Sequence, residues 1–205
     1  MGLRETYNRI AEEWHAQHQQ DDWWVEGTNK FVSFLDRDSS VLDIGCGGGT
    51  KSRHLADHGL YVTGIDFAEN MIEIARREAP EAKFLVMDLR NVDELEGKFD
   101  GIFMQAVLLH IQREEAKEVL KNISGKLKNE GYFYVAVKEK KPDGAYEEVK
   151  TEEEYGYKYE RYFSYFIQSE IESYMKEVGL EIVFSDIKSS GRSRWIQVIG
   201  RKSRD

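Results

Sequence analysis

The sequence predicts an α/β fold: a doubly wound, mostly parallel sheet with helices on both faces, preceded by helices and closed by a hairpin. Three observations carry this. A short apolar strand runs directly into a glycine loop that opens a helix, at residues 41–50. Strand and helix patterns then alternate, and repeated units of this length mean parallel strands joined by right-handed crossovers. Near the end, two strand patterns follow one another with no helix between them.

The chain opens on helix. Tyr7, Ile10, Ala11, Trp14 and His18 fall at i, i+3, i+4, i+7 and i+11, one face of a 3.6-residue repeat. Asp21 and Asp22 are placed to cap a second helix with Trp24, Phe31 and Leu35 on its apolar side. These helices form an N-terminal cap over residues 1–36. The core, 37–137, starts with the strand Val41–Ile44. A helix from about Thr50 to His58 stops at Gly59, which suits the left-handed position after a helix. Tyr61–Ile65 is a second strand, and Met71, Ile72 and Ala75 mark a helix that Pro80 ends. Lys83–Met87 and Phe99–Met104 are the third and fourth strands. Ala116, Val119, Leu120, Ile123 and Leu127 line a helix closing near Gly131, and Tyr132–Val137 is a fifth strand.

Lys138–Phe166 fits none of these patterns. It is dense in Tyr, Glu and Lys, and a stretch that long inside a compact domain reads as a functional insertion or lid, at 138–167. The closing unit is 168–205. Ser169-Glu170-Ile171-Glu172 reads as a capping box for a helix ending at Gly179. Leu180–Ile187 and Trp195–Ile199, joined through Ser189-Ser190-Gly191-Arg192-Ser193, should pair antiparallel.

Composition bounds the function. The 205 residues fit a single domain, and 40% hydrophobic with 12% aromatic residues excludes a disordered chain. No apolar run approaches the roughly 20 residues of a membrane helix, and Met1–Arg9 lacks the apolar stretch of a secretion signal. The one cysteine, Cys46, cannot form an internal disulfide. A soluble cytoplasmic protein is expected, with no membrane and no metal. A net charge of −9 weighs against nucleic acid as the main substrate.

The loop Val41-Leu42-Asp43-Ile44-Gly45-Cys46-Gly47-Gly48-Gly49-Thr50 lays bare backbone at a strand's carboxyl end, where doubly wound folds bind ligands. Thr50 stands where the dinucleotide fingerprint needs its third glycine, and no P-loop lysine follows. The second strand ends in Asp66, about 20 residues on, where a carboxylate can accept the hydroxyls of a ribose. Asp88, at the end of the third strand, is placed to accept from an adenine amine, with Phe67 and Leu89 bracketing the ring. Alone, either acid reads as a cap or turn residue. Cys46 reads as a small loop residue rather than a nucleophile, because no base adjoins it.

In this order the motifs resemble those of class I S-adenosylmethionine-dependent methyltransferases: Asp43–Gly49, Val62–Asp66, Phe84–Asp88 and Phe99–Phe103, followed by Leu127–Tyr132 at the turn into the fifth strand. That turn lacks the proline and one glycine usual in the family. The resemblance implies a Rossmann-like sheet of seven strands in the order 3-2-1-4-5-7-6 with the last antiparallel. It implies S-adenosyl-L-methionine as cofactor and S-adenosyl-L-homocysteine as product. It also implies a cofactor site at Asp43, Gly45, Cys46, Gly47, Gly49, Asp66, Phe67, Met71, Asp88, Leu89, Gln105 and Ala106, with Gln105 bordering the sulfonium.

Methyl transfer mainly needs an acceptor desolvated and held in line with the carbon–sulfur bond. Acceptors that hold a proton also need a base. His110, just beyond the fourth strand, is the candidate; a structural or capping histidine is the other reading. Tyr7, Trp14, His110, Tyr157, Arg161 and Arg194 are the candidate acceptor contacts, and rings plus an arginine suit a small aromatic or carboxylate-bearing acceptor. A protein or tRNA acceptor is disfavoured by the charge. A cofactor-binding regulatory domain without chemistry and a nicotinamide-dependent oxidoreductase are the rivals, the latter opposed by the missing glycine.

Overall fold

The computed structural model describes residues 2–191 and 193–204; Met1 and Arg192, which belong to the N-terminal stretch and hairpin turn considered above, and Asp205 lie outside the described residues. Seven strands form the central sheet: β1 (Ser40–Ile44), β2 (Tyr61–Asp66), β3 (Lys83–Val86), β4 (Phe99–Gln105), β5 (Leu127–Lys138), β8 (Leu180–Ser190) and β9 (Ser193–Lys202). Their order is β3-β2-β1-β4-β5-β9-β8. The pairings from β3 through β5 are parallel, and β9 runs antiparallel to both β5 and β8. With the strands of the separate hairpin left out of the count, this is the expected 3-2-1-4-5-7-6.

The side-chain period of two sorts the core. Leu42, Ile44, Ile102, Met104, Phe133 and Val135 face one side, where α5 (Arg113–Ser124) and α6 (Gln168–Glu177) cover them. Val41, Phe103 and Tyr134 face the other, against Phe31 of α2 (Val25–Val32) and Leu55 of α3 (Thr50–Asp57). Both faces are buried, so these strands read as nearly continuous apolar runs. Gly59 stops α3 at φ +82°.

Helix α1 (Leu3–His18) lies on α4 (Glu69–Glu78). Asn8 joins them through three bonds: its amide donates to Glu69 at 2.7 Å, its Oδ1 accepts from the Asn70 N–H at 3.0 Å, and its carbonyl accepts from the Asn70 side chain at 2.8 Å. Ala11 of α1 packs with Ala68, Met71 and Ile74 beneath this seam. The N-terminal helix is thereby fixed over the carboxyl edge of the sheet.

Four expectations are corrected. Asp21 and Asp22 do not cap α2 with their side chains; their carbonyls accept from the Trp24 indole at 2.6 Å and from the Val25 N–H at 3.0 Å. Strand β5 begins at Leu127, because Glu130 at φ +62° lets the chain pass an irregularity and keep pairing with β4. Helix α6 starts at Gln168, and Glu170 rather than Glu172 accepts the Ile167 N–H, at 3.0 Å. Finally, 138–166, which fits none of the sequence patterns, does hold strands: β6 (Glu147–Glu152) and β7 (Tyr159–Ser164) pair antiparallel as a separate two-stranded ribbon.

The ribbon is tied down at several points. The Tyr155 hydroxyl donates to Gln17 at 2.7 Å, Arg9 stacks on the Tyr157 ring at 3.5 Å, and the Ser164 hydroxyl donates to the Leu108 carbonyl at 3.3 Å. It therefore spans from α1 to the segment after β4.

Candidate active site

A cavity of about 390 Å³ opens at the carboxyl ends of β1, β2 and β4, bounded by α1 on one side and by β7 on another. The glycine loop forms its floor. Gly45, Gly47 and Gly49 hold φ of +64°, +52° and +83°. A Cβ at Gly45 would overlap the Val107 side chain, whereas one at Gly47 would have Trp14 Cζ3, at 3.8 Å, as its nearest neighbour. Gly47 is therefore bare backbone facing the cavity. Gly49 is placed differently from the expected cofactor contact. It is not on the cavity wall; it seats the loop against α4, where a Cβ would meet Ala75 Cα at 2.9 Å.

Asp66 lines the cavity with only 8% of its surface exposed. Its Oδ2 accepts the Gly47 N–H at 3.0 Å and its Oδ1 the Ala68 N–H at 2.9 Å. Two lone-pair sites remain on this carboxylate for hydroxyl donors. Burial pushes the group up to about 6, against the backbone N–H groups that favour its charge. Asp43 is buried behind the loop, accepts the Ser52 hydroxyl at 2.6 Å and is pushed up by burial to about 7. Asp88 borders the cavity too, but one oxygen accepts the Arg90 N–H at 2.9 Å and caps the turn that follows. Phe67, Met71 and Leu89 complete this end. Cys46 adjoins it with a thiol that burial pushes well up, which removes it as a nucleophile at neutral pH.

Strand β4 leaves through Gln105 and Ala106. Ala106 takes φ +58°, a left-handed turn unusual for a residue with a Cβ. Gln105 lines the cavity, and its buried Oε1 has no hydrogen-bond partner among the described residues. An orphaned acceptor of this kind marks a place for a ligand or water.

His110 sits on the short helical turn beyond Ala106. The Tyr162 carbonyl, 2.8 Å from Nδ1, can only accept, so Nδ1 carries the proton. Nε2 is then the acceptor for the Tyr7 hydroxyl at 2.9 Å, and Arg161 donates to that same hydroxyl oxygen at 3.2 Å. Burial pushes the imidazole down to about 3. In this arrangement Nε2 of His110, the nitrogen a base would use, already accepts a hydrogen bond from Tyr7. Arg161 is held in turn by both oxygens of Glu152, at 2.5 and 2.7 Å.

Of the other candidate acceptor contacts, Tyr7, Trp14 and Arg161 line the cavity and two do not. Tyr157 faces Arg9 outside it. Arg194 is largely exposed and pairs with Glu139 at 2.6 Å on the surface. Several wall residues carried no sequence signal. Trp23 and Trp195 stack at 4.0 Å between ring centres, and Lys51 and Lys138 reach the wall from the start of α3 and the end of β5. The motifs that carry the resemblance end before Lys138, and Trp23 precedes them.

Residues 41–131 match the family model described as "Methyltransferase domain". The chain is 29% identical over 135 residues to YqeM of Bacillus subtilis (strain 168), which carries a provisional methyltransferase name, covering 63% of this chain and 51% of that protein. It is 32% identical over 98 residues to a ubiquinone biosynthesis O-methyltransferase of Coxiella burnetii (strain Dugway 5J108-111), covering 46% and 41%. The chain thus spans about half the length, or less, of the curated relatives it matches. Among solved structures, the 1,6-didemethyltoxoflavin-N1-methyltransferase of Burkholderia thailandensis, with 1,6-didemethyltoxoflavin and S-adenosylhomocysteine bound, superposes with a TM-score of 0.77 at 18% identity, covering 98% of this chain and 88% of that one. That likeness is one of fold. No helix among the described residues is long and apolar enough to cross a membrane.

Proposed function

We propose that this chain, whose residues 41–131 match a methyltransferase domain, transfers a methyl group from S-adenosyl-L-methionine to a small, flat acceptor, as a single unit working in the cytoplasm. One observation carries the reading: the bare Gly47 backbone and the lining Asp66 carboxylate form one continuous cavity with an aromatic wall. The motif order and the orphaned Gln105 acceptor fit an adenosyl ligand with a positive centre nearby.

Asp66 would hold the ribose hydroxyls, and Phe67 and Leu89 the adenine, with Asp88 at its amine. Gly45 and Gly47 would approach the methionine portion. Lys51 lines the cavity at the loop end, where burial pushes its ammonium down while Asp43 and Asp21 act in the opposite sense, and it is suited to the cofactor's carboxylate. The chemistry supplied there is an electrophilic methyl on positive sulfur, which leaves as a neutral thioether and needs no acid. The protein's own task is placement. Tyr7, Trp14 and the ribbon bound the acceptor and exclude water, and such positioning supplies several kcal/mol of the roughly 7–11 available to an oriented reaction.

With its Nε2 engaged, His110 orients Tyr7 rather than removing a proton. An acceptor atom already carrying a free lone pair at neutral pH suits the site best. Calorimetric titration with S-adenosylhomocysteine and, separately, NADH tests the cofactor assignment; binding of NADH alone would reverse it. Product formed from labelled cofactor over a panel of small aromatic acceptors separates an enzyme from a binding domain.

A further inference from the structure

Resting on that reading, we infer that Lys138 makes the acceptor end of the cavity an anion-binding subsite, and that the acceptor is a small aromatic carboxylic acid. The sequence points first to Arg161 for such a role, but the bidentate Glu152 pair already neutralises it. Arg90, another cation on the wall, is paired with Glu115 at 3.0 Å. Lys138 is different. Its ammonium has no hydrogen-bond or ion-pair partner among the described residues, although it is half-buried and faces the cavity. What surrounds it is aromatic: the Phe163 ring lies 5.0 Å away and the Trp195 ring 5.5 Å away.

An ammonium taken partly out of water without a counter-ion is costly, and an anionic ligand group there removes the cost. Burial, with Lys150 and Arg161 nearby, pushes Lys138 down to about 8, while Glu152 and Glu148 act in the opposite sense. Those are the charged groups facing it from β6 and β7; Lys150 is itself 3.3 Å from Glu148.

The position also fits the chemistry. Phe163, Trp195 and Leu109 form one packed cluster, and Trp23 and Ala106 lie against it. Ala106 is the turn at the tip of β4, adjacent to Gln105 at the proposed methyl-donor end. A flat ring lying along Phe163 and the Trp23–Trp195 stack, with its carboxylate on Lys138, therefore keeps its other substituents near the methyl donor. The chain's −9 net charge repels acids at long range, so a local cation on the wall is what lets one settle.

The test uses the full chain saturated with S-adenosylhomocysteine at pH 7. Calorimetry compares 4-hydroxybenzoate, 2-aminobenzoate and indole-3-carboxylate with their carboxamides. At least one acid should bind about tenfold or more tighter than its amide. Lys138→Met should abolish that ratio with the amide's affinity and S-adenosylhomocysteine affinity within about twofold of wild type, and Lys138→Arg should restore most of it. Equal affinity of every acid and its amide, no binding by any acid, or an acid preference that survives in Lys138→Met would overturn the assignment. Failure of S-adenosylhomocysteine to bind at all would instead overturn the cofactor reading on which it rests.

Discussion

The Tyr7 hydroxyl, on the first helix, lies 2.9 Å from Nε2 of His110, on the turn that follows β4, so the N-terminal cap and the sheet edge share one hydrogen-bonded centre. The same hydroxyl oxygen accepts from Arg161 of the ribbon at 3.2 Å. Three elements distant in sequence thus meet at one oxygen atom. Tyr7→Phe keeps the ring packing against Trp14 and Phe67 but leaves His110 Nε2 and one Arg161 donor without that partner. The expected cost is about 1–3 kcal/mol of folding stability. Urea unfolding measures it, and a midpoint equal to that of wild type would mean that the three elements are not joined there.

The neutral state of His110 has a pH signature. Its folded value is pushed down to about 3 by burial, against an ordinary value of 6.5. Between those values the unfolded chain holds a proton that the folded chain does not. Stability from this residue is therefore intact above about pH 6.5 and drains away as the pH falls toward 3. Relative to His110→Gln, wild type should lose stability faster on going from pH 7 to pH 4. A methyl-transfer rate limb near pH 6.5 that vanished in His110→Gln would show that the imidazole titrates in the working enzyme, against its engaged geometry.

The proposed cofactor half of the site is legible because backbone chemistry leaves marks in the sequence. Gly45 and Gly47 take positive φ, which favours glycine, and Asp66 ends β2 beyond them. The acceptor half left no such marks. Glu147–Glu152 carries five charged or hydroxyl side chains around Val149 and lies largely exposed, so β6 shows no apolar face to betray a strand. Its partner β7 alternates only weakly through Tyr159, Arg161 and Phe163. Lys138 ends a strand, where a lysine ordinarily points to water; only the arrival of Phe163 and Trp195 from distant segments gives it another meaning. Arg194 and Tyr157 went the other way, because a pairing with Glu139 and a stacking with Arg9 are tertiary facts.

Asp66 should couple cofactor affinity to pH. Burial pushes it up to about 6, so the carboxylate proposed to accept the ribose hydroxyls is fully formed only above that value. Affinity for S-adenosylhomocysteine should fall as the pH drops through 6. In Asp66→Asn it should be weaker at pH 8 by about 1–3 kcal/mol, the cost of losing a charged hydrogen-bond partner, and should vary less with pH. Calorimetry from pH 5 to pH 8 on both proteins checks this. Unchanged affinity in the variant would remove Asp66 from the ligand.

Two glycines of one loop should fail in different ways when replaced by alanine. Both hold positive φ, +52° at Gly47 and +83° at Gly49, so each alanine bears about 1–2 kcal/mol of left-handed strain. At Gly47 the new methyl meets nothing closer than Trp14 Cζ3 at 3.8 Å and projects into the cavity. At Gly49 it strikes the backbone of α4 at Ala75, 2.9 Å away, and something must move, adding roughly 1–3 kcal/mol. Gly49→Ala should therefore lower the thermal midpoint more than Gly47→Ala does. Gly47→Ala should be the one that weakens S-adenosylhomocysteine well beyond what its stability loss explains, because its methyl occupies ligand space. If the loop served only to turn the chain, both variants would lose stability without a selective loss of affinity at position 47.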